Sequence, residues 1–406
     1  MDDILIRSIE RDELPAFMQA LDMAFHGDGS EEELRNESLI AEPDRYFVAV
    51  ERERFVGTAG ACTTRLTVPG GSVTAPGVTA VGVLASHRRR GINTRLMAAL
   101  LDQAVERGEP LAYLWASESG IYGRFGYGMA SLCAELEMPT DRSDFVAGVE
   151  LPGHVRLLPR DEALPLIRPV YEATAATRPG MVAIEDRWWE WLFAKRKKDE
   201  EEPPYFAVHV DEAGEPDGYA VYKVKHDWSH GVPTNELKIE QMLCANAGAE
   251  ATLWRYLFDV DLIAVVKAWD RPADETVLRL VQEPRRLRFA ISDGLWVRLV
   301  DVAASLEARR FSADGRLVFT VDDPFRPRTS GGFELIVKDG QAECRPSDAD
   351  PEIHCDVAAM GAAYLGGSSF RQLSRAQQVR EIEEGALTKA DAMFAWDPTP
   401  WFGFIF

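Results

Sequence analysis

The chain is poor in cysteine and histidine, and neither residue occurs in a pattern typical of a metal or redox site. Its five cysteines, at positions 62, 133, 244, 344 and 355, are odd in number and far apart, and no CxxC pair occurs. The seven histidines include no HExxH sequence. These absences argue against a zinc ribbon, a dithiol redox centre and a zincin. We expect reduced, buried thiols and no bound metal.

Long apolar runs and an excess of positive charge are also missing. No window approaches the roughly 18 unbroken apolar residues that span a bilayer. The acidic start, MDDILIRSIERDE, does not resemble a signal peptide, so we expect a cytoplasmic protein. The formal net charge of -21 would repel nucleic acid and anionic membranes and attract cationic small molecules. Acidity that only keeps the protein soluble is the simpler explanation of most of this charge.

The length and the order of the predicted elements indicate three domains. At about 100–200 residues per domain, 406 residues correspond to two to four domains. Residues 1–145 alternate between strand and helix patterns, which predicts an α/β layer. Residues 146–294 repeat a similar order without a glycine-rich turn. Residues 295–406 are predicted to be α+β, and their apolar last residues, PWFGFIF, are expected to be docked rather than free.

Residues 78–94 carry the strongest chemical signal. A strand pattern ends in the basic turn SHRRRG, which opens a predicted amphipathic helix at 91–105. Backbone N–H groups and the dipole at a helix N-terminus attract an anion, and Gly91 permits its close approach. The arginines at 88–90 add charge for a pyrophosphate or a ribose phosphate. The turn matches neither GxxxxGK[ST] nor GxGxxG. A basic helix start without a ligand is the structural alternative.

A second signal is ASESGIYGRFGYG, residues 116–128. Its closely spaced glycines permit tight backbone approach and place Tyr122 and Tyr127 on a constrained turn. A tyrosine is protonated at neutral pH and can therefore donate a proton to a departing thiolate. The alternative is that both tyrosines are core aromatic residues with a polar tip.

These two segments together resemble the GNAT superfamily of acetyltransferases. The turn at 88–93 is similar to its pyrophosphate-binding turn, R/QxxGxG/A, with Asn93 where glycine or alanine is commoner. The sequences HRRRGI and ASESGIYGRFGYG, the second layer without the turn, and a C-terminal Phe after an apolar tail resemble the enhanced intracellular survival (Eis) family. The resemblance implies two tandem GNAT-like domains followed by a sterol-carrier-protein-like domain, assembled as a homohexamer. It also implies acetyl-CoA as co-substrate and primary amines of aminoglycosides or lysine side chains as acceptors.

The resemblance further assigns roles to individual residues. The strand edge that pairs with the pantetheine arm would be Val81, Gly82 and Val83. The residues that cradle the pyrophosphate would be Arg89, Arg90, Gly91, Ile92, Asn93 and Thr94. The cofactor contacts at the next strand end would be Ser117 and Glu118. Tyr122 would act as general acid, and the α-carboxylate of Phe406 as the general base that accepts the proton of the attacking amine.

Several alternatives stay open. The acidic residues Asp28, Glu31 and Glu32 could line a substrate mouth, although a solvated acidic loop is favoured. The tryptophans at 188, 189 and 191 are expected in a core or an interface rather than as a ligand platform. A lipid carrier that uses the C-terminal domain is a second function, and a tRNA-directed acyltransferase a third. The net charge argues against the tRNA substrate.

Overall fold

The described residues fold into three layers, each a mixed sheet that carries helices. The structure is a computed structural model and describes residues 4–27, 30–194, 196, 199 and 201–404. Within these residues the three main sheets contain eight, seven and five strands, and a further small sheet has two. None of the helices in the described ranges is both long and apolar enough to cross a membrane.

The first part of the chain contains the predicted strand pair and the predicted amphipathic helix. Its elements are β1 (Leu5–Ser8), α1 (Leu14–Phe25), α2 (Glu31–Ile40), β2 (Tyr46–Glu51), β3 (Arg54–Val68), β4 (Gly71–Val83), α3 (Ile92–Glu106), β5 (Leu111–Trp115), β6 (Gly128–Met129) and β7 (Leu132–Pro139). The apolar face of α3 is buried, as its spacing predicts.

Helix α2 was not expected, and it corrects the prediction of an acidic loop at Glu31 and Glu32. Both residues lie in its first turn, behind the N-cap Ser30, whose hydroxyl accepts the N–H of Glu33 at 3.1 Å. Carboxylates are favourable at this end of a helix. The segment is polar on nearly all sides, so it lacks the periodicity by which the other helices are recognised. Asp28 lies outside the described residues.

The second part contains β8 (His154–Leu158), α4 (Arg160–Thr177), β9 (Val182–Ala183), α5 (Asp186–Leu192), β10 (Tyr205–Val210), β11 (Pro216–Lys225), β12 (Trp228–Ser229), β13 (Val232–Pro233), β14 (Asn235–Cys244), α6 (Ala247–Phe258), β15 (Ile263–Pro272), α7 (Val277–Leu280) and β16 (Arg288–Asp293). The third contains β17 (Leu295–Leu299), α8 (Val302–Glu307), β18 (Gly315–Asp322), β19 (Gly331–Lys338), β20 (Gln341–Pro346), β21 (Ile353–Asp356), α9 (Val357–Tyr364), α10 (Phe370–Arg375), β22 (Val379–Glu381) and α11 (Ala386–Phe394).

Two strands lie in a different sheet from the one that their position in the chain suggests. The first sheet has the order β1-β2-β3-β4-β5-β17-β6, with β9 on β3, and the second has the order β16-β7-β15-β14-β11-β10-β8. Strand β17 was expected in the third domain, yet it pairs with β5 through Val297 and Tyr113. Strand β7 was expected in the first domain and lies between β15 and β16. Alternation of apolar and polar residues predicts that a segment forms a strand. Which strand it pairs with depends on residues that are distant in the chain.

The apolar tail is docked between the first two layers, as expected, as far as residue 404. The ring of Phe402 lies 5.7 Å from that of Tyr113, and the ring of Phe404 lies 5.4 Å from that of Trp188. The N–H of Trp401 donates to the carbonyl oxygen of Pro179 at 2.9 Å. Trp188 is a core residue, as predicted. Phe406, the expected general base, lies outside the described residues.

Candidate active site

A crevice opens where β4 and β5 part. The two strands are parallel and pair only through Gly77 with Tyr113 and Val78 with Leu114. Beyond that point β4 has a bulge at Ala80, whose φ of +54° is unusual for a residue with a side chain. The hydroxyl of Thr58 donates to the Ala80 carbonyl oxygen at 2.9 Å and fixes the bulge. The end of β4 therefore turns away from β5 and leaves one strand edge open.

A small cavity of about 200 Å³ lies at this opening. Its walls are formed by Phe25, Val78, Thr79, Ala80, Val81, Trp115, Ser117 and Tyr122. Three of the predicted site residues, Val81, Ser117 and Tyr122, are thus brought together from separate segments. Gly82 and Val83 lie in the ladder with β3, paired with Thr58 and Gly57.

The turn before α3 has the geometry of an anion site. Gly91 is the N-cap of α3 with φ of +76°, and no side chain caps this helix end. A Cβ at Gly91 would meet nothing within 4 Å, so glycine is required by the backbone angle and not by crowding. The first intrahelical bond runs from the N–H of Arg95 to the carbonyl of Gly91. The N–H groups that precede Arg95 are available to a phosphate.

The predicted pyrophosphate residues differ in their surroundings. Arg90 donates to the Glu51 carboxylate at 2.6 Å, and His87 lies 3.0 Å from the same carboxylate. These contacts, that of Arg90 first, lower the pKa of Glu51. Arg89 and Thr94 are exposed, Asn93 is half-buried, and the Ile92 side chain is in the core. One of the expected cationic groups is therefore held against a carboxylate of β2.

Tyr122 lies at the start of a short 3₁₀ turn, Gly123–Phe125, and is almost fully buried. Burial raises the pKa of its phenol, the charge of Glu118 raises it further, and a hydrogen bond with Ser117 acts in the opposite direction. The phenol is therefore protonated at neutral pH and can donate a proton. Ser117 and Glu118 are exposed at the end of β5. The other tyrosine of the segment, Tyr127, is fully buried.

A larger cavity of about 930 Å³ lies between the first two layers. Its charged residues are Glu32, Arg160, Arg196, Asp199, Lys223, Glu240 and Asp270, and its aromatic residues are Trp191, Phe193, Phe206, Trp269 and Phe404. Most of these residues belong to the second layer, which was predicted without a cofactor site. Sequence analysis missed Glu240, Trp269 and Asp270, since they come from a bulge in β14 and from the end of β15 and form no motif.

The carboxylates of this cavity are held in different ways. Asp199 accepts from the ammonium group of Lys223 at 2.6 Å, and Glu240 lies 3.0 Å from that of Lys238. Burial raises the pKa of Asp270 to about 7, although the indole of Trp401 donates to it at 3.3 Å. A cationic ligand beside Asp270 would favour its ionised form.

One aromatic wall joins the two cavities. Trp115 lines the small cavity, and its ring lies 5.8 Å from that of Trp269, which lines the large one. The ring of Phe402 lies 6.1 Å from that of Trp115. The two cavities are therefore linked through the contact of Trp115 with Trp269.

Comparisons with known proteins identify the three parts of the chain. A family model described as an acetyltransferase (GNAT) domain matches residues 5–130, a second one of the same description matches residues 180–299, and a sterol carrier protein domain matches residues 302–403. The fold and the crevice therefore define a GNAT acetyltransferase, a class that uses acetyl-CoA as co-substrate. The predicted architecture of two GNAT domains and a sterol-carrier-like domain is confirmed.

The chain belongs to the Eis family of N-acetyltransferases. It is 33% identical to N-acetyltransferase Eis of Mycobacterium tuberculosis over 353 residues, 84% of this chain and 83% of the relative. It is 38% identical to an uncharacterized N-acetyltransferase of Streptomyces avermitilis, with 98% of both chains covered. The crystal structure of Eis1 from Mycobacterium abscessus superposes with a TM-score of 0.85, at 32% identity and with both chains fully covered.

Proposed function

We propose that the protein transfers the acetyl group of acetyl-CoA to primary amines of cationic small molecules of the aminoglycoside type or to lysine side chains. The observation that carries the proposal is the contact of Trp115 with Trp269, which joins the crevice beside Tyr122 to a carboxylate-lined cavity. The pantetheine arm would pair with the open edge of β4 at Val81–Val83, and the pyrophosphate would lie on the uncapped N-terminus of α3. Ser117 and Glu118 would contact the cofactor at the end of β5.

The acceptor amine would enter the large cavity. Aromatic faces and carboxylates together suit a ligand that has several ammonium groups, because the carboxylates pair with charge and the rings add cation–π attraction. Glu32, Glu240 and Asp270 line this cavity with Asp199, and two of these carboxylates already have a lysine beside them, Lys238 at Glu240 and Lys223 at Asp199. The net charge of -21 supports the same choice of substrate through long-range attraction.

In the reaction, a neutral amine nitrogen would attack the thioester carbonyl carbon, and the carbon–sulfur bond would then break. The attacking nitrogen would lose its proton to the α-carboxylate of Phe406, directly or through water, and the departing thiolate would receive a proton from Tyr122. The position of the tail supports this assignment, because Gly403 and Phe404 line the large cavity. The two residues that follow Phe404 can extend at most about 7 Å from it, so the terminal carboxylate stays near this cavity. Tyr122 would regain its proton from solvent.

The first experiment measures thiol release from acetyl-CoA with a panel of polyamines, lysine analogues and aminoglycosides. It compares the unaltered protein with Tyr122→Phe and with a chain that lacks Phe406. We expect amine-dependent release that falls about 100-fold or more in both variants, because the first lacks the proton donor and the second has its terminal carboxylate displaced by one residue, about 3.5 Å. Tyr205→Phe is the matched control, since this half-buried tyrosine lies on β10 and its ring stacks on Tyr222.

Each outcome of this experiment assigns or removes a role. Activity that survives in both variants would keep the transferase and discard the proposed acid and base. Acetyl-CoA binding without release for any amine would point to a specialised acceptor outside the panel or to a non-catalytic carrier. The homohexamer implied by the family resemblance remains a prediction, which light scattering can test.

A further inference from the structure

A buried ion pair between the first and third layers lies directly behind the Tyr122 turn. Arg298 on β17 and Asp323, which follows β18, form a salt bridge in which both side chains are fully buried. Asp323 also accepts the backbone N–H groups of Phe325 at 3.1 Å and Arg326 at 2.9 Å. The loop after β18 therefore holds the Asp323 carboxylate in place, and this carboxylate in turn orients the Arg298 guanidinium.

Arg298 is in close contact with the turn that carries Tyr122. A Cβ on Gly126, where φ is +81°, would lie 1.6 Å from Nη1 of Arg298. A Cβ on Gly128 would lie 1.8 Å from the carbonyl oxygen of Ala358 on α9. These two glycines therefore allow close approach to Arg298 and to the third layer. At Gly123, by contrast, a Cβ would meet nothing within 4 Å.

Two pairs of aromatic rings connect this contact to the turn that carries the proton donor. The ring of Phe125 lies 5.1 Å from that of Phe325, and the ring of Tyr127 lies 6.1 Å from that of Tyr122. The Tyr127 hydroxyl is buried and has no hydrogen-bond partner among the described residues. Packing therefore holds the Tyr127 ring in place, while the backbone N–H of Tyr127 donates to the carbonyl oxygen of Tyr122 at 3.3 Å. A shift of the turn would move Tyr127 and Tyr122 together.

We propose that Arg298, oriented by Asp323 of the third layer, is a positioning residue for Tyr122. It acts through the Gly126–Gly128 backbone and through the Tyr127 ring. The inference rests on the proposed function, in which Tyr122 is the general acid. It gives the sterol-carrier-like layer a part in acetyl transfer that requires no ligand in that layer. Displacing a reacting group by about 1 Å can lower a rate about 100-fold, so a rigid support behind the turn matters.

The test is Asp323→Asn, measured in the unaltered protein and in the Tyr122→Phe background. We expect kcat to fall about 30-fold in the first case and less than twofold in the second, with the KM for acetyl-CoA unchanged within twofold. Such non-additivity is expected when one residue acts only through the other. The matched control is Glu109→Gln, which neutralises another buried carboxylate of the first layer, paired with buried Arg45 at 2.7 Å. We expect it to change kcat less than threefold in either background.

A milder variant keeps the test informative if Asp323→Asn does not fold. Phe325→Leu removes the ring contact with Phe125, and we expect a fivefold loss of kcat with the same dependence on Tyr122. An equal loss in both backgrounds, or no loss in either, would overturn the inference. If Tyr122→Phe retains full activity, Tyr122 is not the general acid, and the inference about Arg298 is overturned as well. If Tyr122→Phe loses activity while Asp323→Asn keeps it, only the inference falls.

Discussion

The two GNAT layers have a similar order of elements, but the helix that follows the long strand pair begins in opposite ways. In the first layer α3 begins at Gly91 with no side chain on its free N–H groups. In the second layer the Asn246 side chain caps α6 by accepting the N–H of Ala249 at 2.9 Å. Asp217 accepts from the same Asn246 amide, and Glu250 lies in the first turn. An anion would therefore meet donors in the first layer and carboxylates in the second.

The gap between the two central parallel strands also differs. Strands β14 and β15 pair from Asn235 to Ile239 and then part, as β4 and β5 do. In the second layer Arg271 spans this gap by donating to the Met242 carbonyl at 2.5 Å, and it pairs with Glu275 at 2.7 Å. The guanidinium also lies 5.4 Å from the Trp401 ring of the tail. Where the first layer has a crevice, the second thus has a buried ion pair between the two strands.

The largest expected effect is a loss of protein stability, caused by Glu275→Gln in the second layer. This change removes the carboxylate that pairs with the buried Arg271 guanidinium, and breaking a buried ion pair destabilises a protein by about 3–5 kcal/mol. Asp259→Asn is the matched control, because Arg255 and Asp259 have the same i,i+4 spacing but Asp259 is exposed, and exposed pairs contribute about 1 kcal/mol or less. Denaturant titration measures both. Equal effects would show that the filled gap is not what stabilises this layer.

The second-largest expected effect is on acetyl-CoA binding, at the uncapped N-terminus of α3 in the first layer. Gly91→Asp would give α3 a carboxylate where the proposed pyrophosphate binds, and two charges about 4 Å apart near a surface repel by up to about 4 kcal/mol. We expect acetyl-CoA to bind about 100-fold more weakly in calorimetry. Gly91→Asn is the control for shape, since asparagine tolerates a positive φ and brings no charge. Unchanged binding in the aspartate variant would place the pyrophosphate elsewhere.

A third prediction uses the carboxylates at the capped helix end of the second layer. Burial, with the charge of Glu275 beside it, raises the pKa of Glu250 to about 7. The folded protein therefore holds a proton there that the unfolded chain releases above its ordinary pKa, so this contribution to stability declines as pH rises from about 4.5 to 7. Glu250→Gln should remove about 1–2 kcal/mol of that decline. Melting temperatures across this range measure it, and an unchanged slope would exclude Glu250 as the source.

The smallest expected effect is on the KM for the acceptor amine. It tests whether the second layer binds the acceptor while the first binds the cofactor. Asp270→Asn should raise the KM for a polyamine about fivefold and leave the KM for acetyl-CoA unchanged. Because burial raises the pKa of Asp270 to about 7, the unaltered protein should bind the polyamine better as pH rises from 6 to 8. Asp259→Asn again serves as control. An effect on acetyl-CoA alone would contradict this division.

The sequence predicted the parts of the site that a local pattern encodes. The strand, turn and helix around Gly91 follow from spacing and from the backbone freedom of glycine, and they lie where expected. The wall residues Trp269, Asp270 and Glu240 form no pattern, because the divergence of two strands and a bulge bring them together. The placement of β7 in the second sheet and of β17 in the first could not be predicted for the same reason. Pairing between distant segments cannot be inferred from alternation in either one.

The exchanged strands have a consequence for the order in which the layers can form during synthesis. The first sheet needs β17, so it cannot be completed until residue 299 has left the ribosome. Until then β5 has an open edge, and β7 must wait for β15 of the second layer to appear. Contacts between residues so far apart in the chain form slowly. A chain that ended at residue 145 would therefore leave β5 with an open edge and β7 without either of its partners, and such unpaired edges are prone to aggregation.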